Sequence, residues 1–437
     1  MGEVKNVPGR WRQIRPVVQV GSGNFLEMYD FFVFAYYATE IGRAYFPTSN
    51  SFASLMLSLA TFGVGYLMRP LGAVVLGGYI DHHGRRAGLL LTLSLMSLGT
   101  LSVAITPSYD TIGLAAPLIV VAGRLLQGFS AGAELGGVSV YLAEIATPGH
   151  KGFYVSWQSA SQQIAVAFAA MVGLVLLATL STAQMESWGW RVPLLLGCAI
   201  VPFLILLRRS LAETAAFEQR THVSRSLGEI WRSLVRHWRI VGNGAALVVM
   251  TTVSFYLITA YTPTFGRQEL HLDKAGIQLV LLCIGLSNLF WLPVMGAASD
   301  RFGRRPLLLT FTGLALVTAY PVMAWLVAAP SIERLLIAEL WLSLLYGGYN
   351  GAMVVHLTEI MPVNVRSSGF SLAYSAATTL GGFTPAVCTF LIRITENKAM
   401  PGAWMALAAA IGLLATVIGT RGLERLAPKE NLDPLRP

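Results

Sequence analysis

The sequence predicts an all-α membrane protein in which twelve transmembrane helices form two six-helix halves. The first observation is composition: 54% of the 437 residues are hydrophobic and 12% are charged, against about 25% charged residues in a typical soluble domain. The second is a succession of roughly twelve apolar runs, each close to the length that crosses a bilayer as a helix. The third is an internal repeat that relates the two halves of the chain.

Each apolar run is predicted to be a helix, because a backbone inside lipid must satisfy its hydrogen bonds within its own segment. In chain order, the first six predicted spans are 15–38, 54–77, 89–106, 112–141, 153–179 and 190–207. The last six are 239–261, 276–298, 307–328, 333–356, 368–392 and 403–421.

Basic residues predict the orientation of the bundle. The twelve spans place 22 of the 31 Lys and Arg residues on the side shared by both termini and seven on the other side, while Arg69 and Arg124 lie within spans. Basic loops remain on the cytoplasmic side of a membrane, so we expect both termini to be cytoplasmic. The net charge of +9 then follows from topology, and we expect no nucleic-acid partner.

The internal repeat predicts how the helices are grouped. "GGYIDHHGRRAGLLLT" (77–92) follows the second span and "GAASDRFGRRPLLLT" (296–310) follows the eighth, at an offset of 219. A second echo aligns "YLAEIATP" (141–148) with "HLTEIMP" (356–362) at an offset of 215. We therefore expect an N-terminal half at 1–207, a basic cytoplasmic connector at 208–238 and a C-terminal half at 239–437, an architecture known among transporters.

These motifs resemble those of a known family. The doubled G-x-x-x-D-x-x-G-R-R loop is similar to that of the major facilitator superfamily. Within it, "GNFLEMYDFFVF" (23–34), "RPLGA" (69–73) and "GRLLQGFSAGAELGG" (123–137) resemble the metabolite:proton symporters. The stretches "MRPLGAVVLGGYID" and "YTPTFGR" look like those of bacterial citrate and tricarballylate proton symporters. This resemblance runs essentially end to end and implies the major facilitator fold, in the inner membrane of a bacterium.

Arg124 is the main candidate for substrate binding. A charge near the centre of a bilayer costs about 2.5–3.5 kcal/mol on insertion scales, so this side chain must face protein or a watery cavity. A guanidinium can bind a carboxylate through two parallel hydrogen bonds and does not deprotonate. Small neighbours such as Gly128 and Gly132 would let another helix approach closely. The alternative is a structural ion pair with Glu27, Asp30 or Glu134.

Three acids are candidates for proton coupling: Glu27, Asp30 and Glu134. Asn24, Glu27 and Asp30 share a broad face of the first helix, and two acids close together in a low dielectric cannot both ionise cheaply. A carboxyl group that gains and loses a proton at neutral pH is what a proton-driven transporter needs. The alternative is that one of these acids only neutralises Arg124.

Further polar and aromatic side chains inside the spans are candidates for contact with the substrate. Neutral amides and hydroxyls can bind carboxylate oxygens, although hydrogen bonds between helices use the same residue types. Besides Arg124, the predicted substrate-binding residues are Asn24, Tyr29, Gln127, Gln158, Gln162, Tyr256, Asn288, Tyr349, Asn350 and His356.

The family resemblance implies a latch that closes the cytoplasmic side. Acids and bases of the repeated loops, together with two glutamates at cytoplasmic helix ends, could pair between the halves. Plain orientation-setting charges are the alternative. The predicted gate residues are Asp81, Arg85, Arg86, Glu144, Asp300, Arg304, Arg305 and Glu359.

We therefore predict a proton-driven importer of a tricarboxylate, citrate or tricarballylate, that works by alternating access. Moving a trianion inward against 100 mV costs about 7 kcal/mol, at about 2.3 kcal/mol per charge, and co-transported protons cancel that charge. Alternatives are a symporter of a dicarboxylate such as 2-oxoglutarate or of an osmolyte, and a nutrient receptor. Catalytic and nucleotide-binding motifs are absent from the sequence, so we expect no enzyme, cofactor or metal, and a monomer in the lipid bilayer.

Overall fold

A computed structural model shows that the chain is helical almost throughout. The structure describes residues 24–25, 27–83, 85–132, 134–209, 232, 235–362 and 366–422. These residues form twelve helical rods, in agreement with the predicted fold class. The first six are α1 (27–36 and Ala38–Tyr45), α2 (Ser51–Leu67 and Arg69–His83), α3 (Arg85–Ile105), α4 (Ala115–Ala131 and Glu134–Ile145), α5 (Lys151–Thr179) and α6 (Val192–Arg209).

The last six rods complete the bundle. They are α7 (Trp238–Tyr256, extended through Glu269), α8 (Lys274–Phe302), α9 (Arg304–Ala328), α10 (Ile332–Ile360), α11 (Arg366–Gly382 and Thr384–Thr395) and α12 (Met400–Gly422). Short helical turns at Tyr109–Ile112, Thr182–Ser187 and Gly189–Arg191 lie in the connections. Much of the predicted connector, including 210–231, lies outside the described residues.

The rods have the length and composition of membrane spans. Within the described part of the chain, seven helices are long and apolar enough to cross a membrane, and three more are apolar but shorter. Of the remaining two, α10 contains buried polar side chains that lower its hydropathy, and the described part of α1 is divided into two shorter helices. Several rods extend past the predicted spans, as α10 does at both ends, because hydropathy detects only the apolar part of a helix.

The contacts between the two halves are related by the internal repeat. Helix α5 packs along α8, and α11 packs against α2 and α4. The repeat pairs α2 with α8, and α5 with α11, so the α5–α8 and α11–α2 contacts are equivalent. We call the end of the bundle at which α1 begins the inner end, and the opposite end the outer end.

Glycines allow two of these crossings to be very close. At the inner end, a Cβ on Gly152 of α5 would lie 2.4 Å from the carbonyl oxygen of Gly296 on α8. Within the N-terminal half, a Cβ on Gly128 of α4 would lie 1.5 Å from the carbonyl oxygen of Gly65 on α2. The prediction that Gly128 lets a neighbouring helix approach is confirmed, and the neighbour is α2.

Prolines explain two irregular places that matter for the site. Helix α2 is interrupted at Met68, next to Arg69 and Pro70, since a proline ring cannot donate the helical hydrogen bond. In α7, Pro263 lies between two π-helical turns, Leu257–Tyr261 and Phe265–Glu269. The wider turns relieve the clash between the proline ring and the preceding carbonyl.

Candidate functional site

A small cavity lies between the two halves in the middle of the bundle. Its water-accessible space is about that of a single water molecule, so the described side chains almost fill this part of the bundle. Four of the five contributing helices bring polar or aromatic side chains to its wall. The lining residues are Met28, Arg69, Gln162, Thr251, Thr252, Phe255, Tyr256 and Tyr374.

Arg69 and Glu27 form a buried ion pair beside this cavity. Arg69 Nη2 donates to Glu27 Oε1 at 2.7 Å, and both side chains are almost completely buried. Arg69 Nε has no hydrogen-bond partner among the described residues. An ion pair removed from water repays its desolvation only when its geometry is good. The short distance meets that condition, while one donor of Arg69 remains available to a ligand.

Aromatic rings complete the surroundings of Arg69. Its guanidinium carbon lies 4.6 Å from the ring centre of Tyr66 and 5.1 Å from that of Phe31. Tyr66 in turn contacts Tyr256 of α7 edge to face, with the ring centres 5.1 Å apart. Cation–π contacts of this kind stabilise a desolvated cation by about 2 kcal/mol, so the rings hold Arg69 in place without competing for its hydrogen bonds.

Arg124 is buried against the rings of Phe31 and Phe34 and does not line the cavity. Its guanidinium carbon lies 4.4 Å from the ring centres of both Phe31 and Phe34. Arg124 Nη1 donates to Gln127 Oε1 at 2.7 Å, while Nε and Nη2 have no hydrogen-bond partner among the described residues. The predicted contact of Arg124 with substrate would therefore require the side chains around it to rearrange.

Asp30 is connected to Arg124 through two neutral groups. The Thr100 hydroxyl donates to Asp30 Oδ2, and Gln127 Nε2 donates to Thr100 Oγ1 at 2.8 Å. Gln127 then accepts from Arg124. The alternative expectation was a direct ion pair between Arg124 and one of the acids. Asp30 is instead connected to Arg124 through Thr100 and Gln127, and Glu27 pairs with Arg69. The side chain of Glu134 lies outside the described residues.

Other predicted substrate-binding residues hold helices together in this closed state. Asn24 donates to the carbonyl oxygen of Gln158 at 3.2 Å, which joins α1 to α5. Asn288 of α8 donates to Gln163 of α5 at 3.1 Å, which joins the two halves.

The two predicted tyrosines outside the cavity contact backbone oxygens. The Tyr29 hydroxyl donates to the carbonyl oxygen of Pro193 at 3.0 Å. The Tyr349 hydroxyl donates to the carbonyl oxygen of Leu247 at 2.8 Å. Asn350 donates to Tyr346 Oη at 3.4 Å. Of the predicted residues, Gln162 and Tyr256 line the cavity, whereas His356 lies near the inner end of α10 and is partly exposed.

An inner latch joins the two halves through Asp300. Its carboxylate accepts from the backbone N–H groups of Gly152 at 2.7 Å and Phe153 at 3.0 Å, across the gap from α8 to the beginning of α5. Arg304 holds this carboxylate at 2.7 Å and also pairs with Glu359 at 3.1 Å. Three predicted gate residues thus form one cluster.

The other predicted gate residues are not part of this cluster in the described structure. Glu144 and Arg305 are exposed, and the salt bridges found among the described residues do not include them. The side chains of Asp81, Arg85 and Arg86 lie outside the described residues.

Sequence reasoning missed an ion pair that joins the halves at the outer end. Arg267 of α7 donates to both carboxylate oxygens of Glu40 on α1, at 2.9 and 3.3 Å. Next to it, Gln268 Nε2 donates to Thr39 Oγ1 at 3.2 Å. Contacts between the halves are therefore present at both ends of the described bundle.

Two further buried charges were also missed as site residues. The principle that selected Arg124, a charge inside an apolar span, applies equally to Arg69 and to Glu339 of α10. Arg69 lies next to a proline in the middle of α2, and Glu339 interrupts an otherwise apolar stretch of α10. Those signals were present in the sequence.

Comparison with known proteins places this architecture in context. The family model described as Major Facilitator Superfamily matches residues 20–385 and 267–433 of the chain. Citrate-proton symporters of Salmonella typhi and Klebsiella pneumoniae are each 56% identical to it, over 92% of this chain and 93% and 91% of those proteins. The alpha-ketoglutarate permease of Escherichia coli is 33% identical over 85% of each chain.

A solved structure has the same arrangement of helices. The proton:xylose symporter XylE with bound 6-bromo-6-deoxy-D-glucose matches with a TM-score of 0.75, over 94% of this chain and 96% of that one. XylE comes from Escherichia coli. The two sequences are 15% identical, so this likeness concerns the fold.

Proposed function

The chain belongs to the Major Facilitator Superfamily, and from this premise we propose that it imports a tricarboxylate, citrate or tricarballylate, together with protons. The observation that carries the proposal is the buried Arg69–Glu27 pair at the wall of the central cavity. The similarity to citrate-proton symporters at 56% identity supports the choice of substrate.

Exchange of partners at Arg69 would couple substrate to protons. A substrate carboxylate that binds Arg69 through two hydrogen bonds displaces Glu27, which is then a buried acid without its cation. Breaking such a pair while leaving one charge behind costs about 3–5 kcal/mol, and protonation of Glu27 removes that cost. At least one proton therefore enters with each substrate molecule.

Arg124 and the hydrogen-bonded chain that connects it to Asp30 would bind a second carboxylate and a second proton. A tricarboxylate carries more charge than Arg69 can balance, and Arg124 lies just behind the Phe31 ring. When the cavity widens and Phe31 turns, Arg124 can bind a second carboxylate, as the sequence predicts. Asp30, connected through Thr100 and Gln127, would be the second group to take a proton.

The two latches define how the cavity is exposed alternately. We propose that the inner end faces the cytoplasm and the outer end the periplasm, with both termini cytoplasmic in a bacterial inner membrane. Release of the Glu40–Arg267 pair would open the cavity outward, and release of the Asp300 cluster would open it inward. We further propose that a single chain surrounded by lipid performs the whole cycle, without an enzymatic step.

Uptake into proteoliposomes tests the proposal. Purified protein is reconstituted, an inward proton gradient is imposed, and labelled citrate or tricarballylate is supplied outside. We expect gradient-driven accumulation that an uncoupler abolishes and that protein-free liposomes do not show. Accumulation that persists without a gradient, or uptake of neither tricarboxylate, would reject the proposal.

Competing substrates are separated in the same experiment. Unlabelled 2-oxoglutarate represents the dicarboxylate alternative, which the 33% identical alpha-ketoglutarate permease favours, and glycine betaine represents an osmolyte. We expect citrate to compete most strongly, because two guanidinium groups favour a polyanion over a zwitterion. Stronger competition by 2-oxoglutarate would assign the dicarboxylate instead.

A further inference from the structure

Glu339 is the buried carboxyl of the C-terminal half. It lies on α10 about 10 Å from the outer end, at 1.5 Å per residue from Ile332, and it is 2% exposed. Thr262 Oγ1 lies 2.8 Å from Glu339 Oε1, while Oε2 has no hydrogen-bond partner among the described residues. Neither substrate binding nor the exchange at Arg69 uses this group.

The cations near the outer end do not balance Glu339. Helices α7, α8 and α9 are among those that pack against α10, and each basic side chain near the outer ends of these four helices has another partner among the described residues. These are Arg267, which pairs with Glu40, Lys274, which lies 4.0 Å from Glu186, and Arg334, which donates to the carbonyl of Trp325. On α7, the hydroxyl of Tyr261 beside Thr262 is bonded to Thr389 instead.

The hydroxyl of Thr262 indicates which protonation state fits this site. A threonine hydroxyl has one proton to donate, and Thr262 Oγ1 also lies 2.8 Å from the carbonyl oxygen of Ile258. When Glu339 is protonated, it donates to Thr262 while Thr262 donates to Ile258. An ionised Glu339 would compete for the same proton and leave an unbalanced charge inside the bundle, which is far more costly than a neutral acid.

The backbone around Thr262 links this acid to the outer latch. Thr262 lies between the π-helical turns Leu257–Tyr261 and Phe265–Glu269, and such turns are frequent at functional sites. The second turn carries Arg267, whose pair with Glu40 closes the outer end. The same segment of α7 therefore carries both the hydroxyl that contacts Glu339 and the guanidinium of the outer latch.

We propose that Glu339 is a further proton-binding site, located in the C-terminal half, which takes a proton from the outer solution and must hold it for the outer end to close. The proton adds to the carboxylate oxygen Oε1 and forms an O–H bond there; a hydronium ion that supplies it becomes water. The proposal rests on the proposed proton symport, since that function makes the outer end the side from which protons enter.

Infrared spectroscopy tests the protonation state without any substrate. The citrate-free protein in lipid should show the C=O stretching band of a protonated carboxylic acid, and the difference spectrum against Glu339→Gln should contain it. Glu333→Gln removes an exposed carboxyl six residues earlier on the same helix and should leave the band unchanged. If Glu339→Gln does not fold, Thr262→Ala should shift the band instead, because the acid loses its hydrogen-bond acceptor.

Transport tests the coupling to the outer end. At a fixed internal pH, wild-type uptake should rise as the external pH falls. In Glu339→Gln, whose side chain is always neutral, uptake should depend less steeply on external pH, by up to about tenfold per pH unit. Exchange of citrate should persist. Glu339→Asp keeps an ionisable carboxyl and should retain the response.

Two results would overturn the proposal. One is an infrared spectrum that neither Glu339→Gln nor Thr262→Ala changes, and the other is an external-pH profile of Glu339→Gln that superimposes on that of the wild type. Failure of the proposed function has a different signature, because the wild type would then take up no tricarboxylate while the infrared result at Glu339 stood unaffected.

Discussion

The two halves of the molecule share a scaffold but differ in their buried charges. Among the described residues, the N-terminal half buries five charged side chains and the C-terminal half one. The five are Glu27, Asp30, Glu40, Arg69 and Arg124, and the single one is Glu339. The cavity wall reflects this division, since α2 supplies a guanidinium whereas α7 and α11 supply hydroxyl groups and rings.

The repeat shows where the halves have diverged. At the offset of 219, Arg69 corresponds to Asn288, and at the offset of 215, Arg124 corresponds to Glu339. Asn288 joins the halves through Gln163, and Glu339 is bonded to α7. The equivalent positions are thus buried and polar in both halves, but only the N-terminal half uses them to hold positive charge.

Arg69→Ala, which removes the guanidinium from the cavity wall, should have the largest effect on citrate binding. Two hydrogen bonds from a guanidinium to a carboxylate contribute about 1.5–3 kcal/mol each, and 1.4 kcal/mol is tenfold in affinity. We therefore expect citrate affinity to fall at least about a hundredfold by isothermal titration, and uptake to be lost. Arg43→Ala, an arginine 63% exposed at the outer end of the same half, is the matched control and should bind citrate normally.

The stability of Arg69→Ala must be measured with its binding. The variant leaves Glu27 buried without its cation, which costs about 3–5 kcal/mol. The double variant Arg69→Ala with Glu27→Gln should regain thermal stability without regaining affinity. If the single variant bound citrate as the wild type does, Arg69 would have no part in the site.

Glu27→Gln should separate coupling from binding. Wild-type uptake should increase as the outer pH falls, because Glu27 needs a proton once substrate has displaced it from Arg69. The amide cannot take up a proton, so we expect gradient-driven accumulation to fall about tenfold, the equivalent of one pH unit. Exchange of labelled for unlabelled citrate should continue. Loss of exchange along with accumulation would place Glu27 in binding instead.

The two latches should respond in opposite directions. Cys388 of α11 is fully buried near the outer end, and in a chain with Cys198 and Cys283 replaced by Ser its labelling from outside reports opening there. Arg267→Ala should raise the labelling rate about fivefold, since an ion pair of this kind contributes about 1 kcal/mol. Asp300→Asn should lower it by favouring the inward-open state. Equal effects of both variants would show that the latches do not alternate.

Tyr29→Phe and Tyr349→Phe should have the smallest effects, one in each half. Each removes one hydroxyl that donates to a backbone carbonyl of a neighbouring helix. We expect a loss of about 1 kcal/mol in stability from either change, measured by thermal unfolding, and an unchanged KM for citrate. A raised KM in either variant would support the sequence-based assignment of that tyrosine to substrate contact.

Hydropathy predicted the helices because an apolar run is a property of a single helix, and the repeat predicted how the helices are grouped because it can be read directly from the sequence. The run of apolar residues that marks α8 is the same whether or not α5 packs against it. The rotation of each helix about its axis is different, because it depends on neighbours that are distant in sequence. Glu27 and Arg69 are 42 residues apart, and the chain alone gave no reason to pair them in preference to Glu27 and Arg124.

The same reason explains the uneven outcome for the candidate site. That Arg124 is buried followed from its span, but its packing on Phe31 and its absence from the cavity wall did not. The inner cluster of Asp300, Arg304 and Glu359 was predictable because a repeated motif marked two of its members. The outer pair of Glu40 and Arg267 had no such mark in the sequence.

The contact between Gly152 and Gly296 gives the molecule a fulcrum. The two backbones touch there, at the inner end of α5 and α8, so one helix can tilt on the other with little side-chain interference. Helix α8 has 29 residues and is therefore about 44 Å long at 1.5 Å per residue. Gly296 lies about 33 Å from the outer end of α8 at 1.5 Å per residue, so a tilt of roughly 10° about this contact moves the outer end by about 6 Å. The same tilt moves the inner end, about 9 Å beyond Gly296, by less than about 2 Å, so a small shift at the inner end can open a gap several times wider at the outer end.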